Sequence, residues 1–273
     1  VFALYGNGLI ENPAEYAYLA LYALQHRGQQ SCGIAVSNGG VIEAVKGMGL
    51  VSEVFTEDVL ASLGGQNVAA HVLYSDKSAN DVAHNGSLVN SHELRNLLAQ
   101  NGAMFRSNSD AELIAQIVAK ERMFSPSIEE AVKLTCENIK GSYAMVVMSP
   151  NKIIGARDPH GIRPLVVGKM PEGCYVMASE TCALNAIGAE FVRDVEPGEI
   201  VIIDEDGFRS FYKPEGCKKK ICIFEYIYFA RPDSIMDGVS IHESRVRAGR
   251  LLARQHPVEA DMVIGVPDSG LDA

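Results

Sequence analysis

The sequence predicts a layered α+β domain, and three observations carry that prediction. Short apolar segments with strand character come in runs, bounded by turns rich in glycine and asparagine. Three amphipathic helical stretches stand together between two of these runs. Before residue 240 strands and helices do not alternate one by one, so antiparallel sheets are expected in place of a parallel βαβ arrangement.

Each element follows from local pattern. Residues 1–5 are apolar and strand-like. Residues 14–25 place apolar side chains at three- and four-residue spacing, the period of a helix buried on one face. That helix should stop at His26-Arg27-Gly28, where glycine tolerates the positive φ of a helix end. Residues 33–37 form a strand, Asn38-Gly39-Gly40 a turn, and residues 41–46 the antiparallel partner. Residues 67–72 and 82–83 extend the strand set, with His84-Asn85-Gly86 at a strand end. Residues 92–100, 111–122 and 128–139 are helical by period, the second opening behind Ser109-Asp110, a good amino-terminal cap. Strands return at residues 143–148, 153–156, 165–168, 175–178 and 200–203. A polar, lysine-rich stretch at residues 209–220 marks a boundary, dividing the chain into 1–215 and 216–273. Beyond it, residues 240–256 suit a helix. Residues 261–266 suit an apolar strand leading into Pro267-Asp268-Ser269-Gly270, like the first unit of a parallel α/β domain.

Composition narrows the functional classes. The net charge of −10, from 24 basic and 34 acidic side chains, disfavours non-specific nucleic-acid binding but leaves room for a local basic pocket. No apolar run approaches the roughly 20 residues that cross a bilayer, and no secretory leader is visible, so no membrane partner and a cytoplasmic location are expected. The six cysteines form no CxxC pair and no regular framework, which argues for reduced structural thiols.

Four polar or aromatic clusters carry potential chemistry, each with a structural alternative. Residues 24–30, containing Gln25, His26, Arg27 and Gly28, are a dense polar run that a solvated helix end would also explain. Asn85-Gly86 between apolar strands is a hairpin signal. It also offers a side-chain amide and an adjacent backbone N–H, the donors of an oxyanion hole. Asn108-Ser109-Asp110 caps a helix, or presents a carboxylate to the ammonium of an amino acid. The aromatic run at 224–234 suits a core or domain interface.

Taken together, "LYALQHRGQQSCGIAVS", "AHNGSLVNSHELRNLL", "SDAELI", "ARDPHGIRPLVVG", "ASETCAL", "RDVEPGEIVII", "FEYIYFARPDS" and "VIGVPDSG" resemble the amidophosphoribosyltransferase family, in the same order along almost the whole chain. Some of these motifs are shared by all class II glutamine amidotransferases. The pairing of "RDPHGIRPL" with "IYFARPDS" is far more specific, and argues against another class II amidotransferase. The resemblance implies a four-layer αββα amino-terminal-nucleophile fold, followed by the beginning of an α/β phosphoribosyltransferase domain. It implies the first committed step of purine synthesis. In the family it resembles, glutamine is hydrolysed by an amino-terminal cysteine whose own amine is the base, and ammonia passes to phosphoribosyl pyrophosphate to give phosphoribosylamine. By motif, Asn85 and Gly86 would form the oxyanion hole, Asp110 would hold the glutamine α-ammonium, and Arg27 and Gly28 would support the nucleophile. Mg²⁺ is implied for the phosphoribosyltransferase half, a homo-oligomer for the assembly, and Cys222 sits where some members place a ligand of a 4Fe-4S cluster.

Three departures shape the expectation. The family's nucleophilic cysteine would lie two places ahead of Val1, so the chain as it stands is expected not to hydrolyse glutamine. Between Val72 and Leu73 the chain departs again. In one alignment Leu73 replaces the arginine that clamps the glutamine carboxylate; in the preferred one the glycine-rich loop carrying it is absent and residues 73–82 form the following strand and its turn. The acidic loop that binds phosphoribosyl pyrophosphate is nowhere in the chain. A truncated protein is the expectation; the alternatives are a catalytically dead glutamine-binding or regulatory module, or another class II amidotransferase.

Overall fold

Period-two alternation in the first strand sets the architecture. In β1 (Phe2–Tyr5), Phe2 and Leu4 face one apolar cluster while Ala3 and Tyr5 face another. A strand sandwiched in this way must be apolar throughout. The computed structural model of the chain describes residues 1–73 and 82–273. After β1 come helix α1 (Pro13–Ala23), a 3-10 turn at Gln25–Arg27, and the hairpin of β2 (Ser31–Asn38) and β3 (Val41–Met48). Short helices α2 (Val51–Val54) and α3 (Glu57–Ser62) lead to β4 (Asn67–Leu73), and β5 (Val82–Leu88) follows. Helices α4 (Ser91–Gln100), α5 (Asp110–Arg122) and α6 (Ile128–Asn138) come next. Then come β6 (Gly141–Ser149), β7 (Lys152–Arg157), β8 (Val166–Lys169), β9 (Tyr175–Ala178), α7 (Thr181–Ala186), β10 (Glu190–Asp194), β11 (Ile200–Asp204) and β12 (Gly207–Tyr212).

These strands form two sheets, ordered β10-β8-β9-β1-β4-β2-β3 and β12-β11-β7-β6-β5, with every pair antiparallel. Three apolar clusters lie between four layers. The first packs α1 against the seven-stranded sheet through Ala17, Leu21, Ile34 and Val68. The second lies between the sheets, where Ala3 and Ala69 meet Ala144, Val146 and Val201. The third packs Leu113, Ile114 and Ile117 of α5 against Met145 and Val147 of the five-stranded sheet. The fold is therefore the αββα sandwich expected. Small alanines at the central seam let the sheets approach closely.

Past β12 the chain forms a π-helical turn at Glu225–Phe229, the two-residue strands β13 (Ile235–Met236) and β14 (Val239–Ser240), and helix α8 (Ile241–Gln255). This segment is pinned to the sandwich by a buried ion pair, Arg157 to Asp237 at 3.1 Å. Four expectations need correction. Residues 261–266 are not a strand: no strand lies beside them among the described residues, and Val263, Ile264 and Val266 are exposed. A strand needs a hydrogen-bonded neighbour, which an apolar run alone cannot supply. Asn85-Gly86 is not a hairpin turn but lies inside β5, opposite Ala144 and Tyr143. Leu73 closes β4 opposite Ser31 and does not begin the following strand. The rest of that proposed strand and turn, 74–81, lies outside the described residues. Lastly, Gly28 does not end the helix with a positive φ; its φ of −178° is extended backbone. Its small size matters for another reason, since a Cβ there would collide with the Leu73 backbone.

Candidate functional site

A cavity of about 320 Å³ opens at the start of β1. It is lined by Val1, Arg27, His84, Asn85, Gly86 and Asp110, with Val72, Leu73, Asn108 and Ser109 completing the wall. Residues distant in sequence are thus brought together, including four of the six that the sequence singled out. The fifth, Gly28, sits in the turn behind Arg27, and Cys222 lies elsewhere.

Each wall residue is delivered by a specific local device. Gly86 adopts a φ of +140°, a region that disfavours side chains, and a Cβ would run into the Ser142 carbonyl oxygen of β6. Only glycine lets β5 keep its register with β6 while turning the Asn85–Gly86 backbone toward the cavity. The Asn85 amide nitrogen is buried and has no hydrogen-bond partner among the described residues. An unpaired buried donor costs about 1–3 kcal/mol, so this one is suited to an acceptor that arrives from outside. Asp110 starts α5, where the helix dipole favours a carboxylate. One of its oxygens accepts the Leu88 N–H at 2.9 Å, tying the helix start to β5. Ser109, the cap residue, accepts from Ala111 N at 3.2 Å, so capping and site placement coincide. The loop before it is held by the Glu112 carboxylate, which accepts from Arg106 N at 2.7 Å and Ser107 N at 2.8 Å.

Arg27 does not end a solvated helix. Its guanidinium is almost buried and clamped by two carboxylates, Glu180 Oε1 at 2.5 Å and Glu225 Oε1 at 2.8 Å. Gln25 braces the same turn, donating to Gly28 O at 2.6 Å while its own oxygen accepts the Val51 N–H at 2.7 Å. Burial alone would push the Glu180 carboxyl upward. Arg27, helped by His26 and the Arg231 N–H, outweighs it and holds Glu180 well below the usual carboxylate range. Two histidines near the cavity behave oppositely: burial lowers His71 to about 3 and His84 to about 4, so both imidazoles are neutral at pH 7.

Sequence reasoning missed Glu180, Glu225 and Arg163, which donates to Glu225 Oε1 at 2.6 Å. A carboxylate inside an otherwise apolar stretch, as in Phe224-Glu225-Tyr226, was the available signal. Cys222 is half-buried, not fully buried as a structural thiol would be. Among the described residues no group of three His, Cys, Asp or Glu side chains could hold a metal, so they do not by themselves fit an iron–sulfur cluster or a magnesium site. None of the described helices is long and apolar enough to cross a membrane.

Comparison with known proteins bears on the family and the fold. Residues 69–186 match the glutamine amidotransferase domain family. The amidophosphoribosyltransferase of Archaeoglobus fulgidus is 45% identical over 94% of this chain and 60% of its own length. That of Bacillus subtilis is 38% identical over 100% of this chain and 60% of its own. A solved structure of the B. subtilis glutamine phosphoribosylpyrophosphate amidotransferase, complexed with ADP and GMP, superposes with a TM-score of 0.91 at 38% identity. It covers 99% of this chain and 61% of that one. The chain thus spans about 60% of the length of the relatives it matches. On sequence and fold together, the chain belongs to the amidophosphoribosyltransferase family.

Proposed function

We propose that the cavity at the start of β1 binds glutamine and that the chain is the glutamine-hydrolysing part of an amidophosphoribosyltransferase. The observation that carries this reading is the buried, unpaired Asn85 amide bordering the cavity beside Gly86. These two residues would donate to the oxyanion that forms when a thiolate attacks the glutamine side-chain amide. Asp110 would accept from the substrate α-ammonium, a charge-assisted bond that also selects an amino acid over a plain amide. Arg27, held rigidly from behind by Glu180 and Glu225, would help bind the substrate at the cavity wall, with Gly28 in the turn behind it.

The attacking thiol would come from a cysteine two places ahead of Val1. Two residues of extended chain span about 7 Å, so a residue there is within reach of the cavity that Val1 borders. The thiol would add to the amide carbon, its proton passing to the adjacent α-amine. Collapse of the intermediate would expel ammonia, and water would release glutamate. In the intact protein the ammonia would displace pyrophosphate from phosphoribosyl pyrophosphate, in a second domain beginning near residue 216 and supplied with Mg²⁺. A cytoplasmic homo-oligomer fits the same reading.

Amino-terminal sequencing of the mature gene product, paired with an ammonia-release assay on glutamine, tests it. A leading cysteine and glutamine-dependent ammonia are expected. Absence of that cysteine would leave a glutamine-binding module without catalysis.

A further inference from the structure

One buried side chain touches residues on the walls of two separate cavities. Glu180 is almost fully buried, at the turn between β9 and α7. Its Oε1 accepts from Arg27 at 2.5 Å and lies 2.8 Å from His26 Nε2. Its Oε2 accepts from the Arg231 backbone N–H at 2.9 Å and the Ser234 hydroxyl at 2.7 Å. Arg27 lines the cavity at the start of β1. His26 and Arg231 line a second cavity of about 280 Å³, bounded also by Tyr228, Arg245 and Asp268. Glu225 reinforces the arrangement from the same distal segment, bridging Arg27 Nη2 at 2.8 Å and Arg163 Nη1 at 2.6 Å.

We propose that Glu180 is a positioning residue that sets the Arg27 guanidinium at the wall of the first cavity and locks it to the 231–234 turn beside the second. The inference rests on the reading of the first cavity as a glutamine site. The chemistry favours a tie over simple packing. A carboxylate sealed from water must have its lone pairs satisfied. Here Oε1 is committed to Arg27 and His26 and Oε2 to the 231–234 turn, so neither group can leave without unpairing a buried charge. Arg27 Nη2 donates to both Glu225 oxygens, at 2.8 and 2.9 Å, while Nη1 donates to Glu180, so both ends of the guanidinium are held and it has little freedom to swing.

The test uses the intact gene product and steady-state release of ammonia from L-glutamine, with thermal unfolding measured in parallel. Glu180→Gln keeps the shape and removes the charge. It is expected to raise KM for glutamine about tenfold or more, corresponding to at least about 1.4 kcal/mol, with kcat changed less than threefold. Glu199→Gln is the comparator, because Glu199 is equally buried, pairs with Arg193 at 2.7 Å and borders neither cavity. It should lower the melting temperature and leave KM alone. Ser234→Ala removes only the bond from the far side and should raise KM two- to fivefold. Should Glu180→Gln fail to fold, Ser234→Ala decides the matter. A KM within twofold of wild type in whichever variant is folded overturns the proposal. If the wild type releases no ammonia, the functional reading fails separately, and a crystal structure of the folded variant judges the tie. Displacement of Arg27 from the cavity wall upholds it, and an unmoved Arg27 overturns it.

Discussion

Two apolar runs of similar appearance, residues 143–148 and 261–266, meet opposite fates. The first becomes β6, a central strand with β5 and β7 on its edges, and Val146 is fully buried between the sheets. The second forms no strand and is exposed, with Val263 91% accessible. The difference lies not in the residues but in what stands beside them. Apolar side chains make burial favourable, while only a neighbouring strand satisfies the backbone.

That comparison can be broken by experiment. Val146→Asp would place an unpaired carboxylate at the seam of the sheets, and no folded 273-residue chain is expected. Circular dichroism with a cooperative melt would refute the placement of that seam. Next in size is Arg157→Met, at the junction of the sandwich with the distal segment. Arg157 donates to the carbonyls of Arg163, Val195 and Gly161 and pairs with Asp237, so its loss should cost about 3–5 kcal/mol in urea unfolding. A loss below about 1 kcal/mol would mean the two regions are not joined through this pair.

Acid should find the sandwich before it finds the exposed tail. Above pH 6.5 His71 and His84 are neutral in both folded and unfolded chains. Below it the unfolded chain takes up protons that the folded chain refuses, until about pH 4 for His84 and about 3 for His71. Stability should therefore fall by about 1.4 kcal/mol per pH unit for each histidine as pH drops from 6.5 toward 4. His71→Asn should flatten the slope, and an unchanged slope would show that His71 is solvated. Glu180 acts in a lower window. Its depressed folded value adds stability above its ordinary 4.5, which is lost as pH falls further. The smallest effect belongs to the tail: Val263→Asp in the 273-residue chain should change stability by less than about 0.5 kcal/mol.

Much of the sandwich was legible because most of its strands announce themselves locally; β10 went unpredicted, and residues 209–212, read as the start of a polar boundary, belong to β12. Apolar segments at 143–148, 153–156 and 175–178 became β6, β7 and β9, and the glycine turn at 38–40 joined β2 to β3 as expected. Asn85-Gly86 drew notice as an amide beside a glycine, though it lies inside β5 and not at the hairpin turn that local pattern suggested. What local pattern could not carry was pairing over long separations. Arg27 meets Glu180 and Glu225 from 153 and 198 residues away, and seen alone its polar run looks like a solvated helix end. Gly28 shows the same limit. The sequence offers a reason in φ, whereas the actual reason is the passage of Leu73 beside it.

The central claim, that Asn85 waits in this cavity for the oxyanion of a glutamine amide, has a direct measurement. Replace Asn85 with alanine in the intact gene product and follow ammonia release at saturating glutamine. A fall in kcat of about 10²–10³ is expected, with little change in the melting temperature, because the amide has no partner to lose. Turnover within a fewfold of wild type would contradict it.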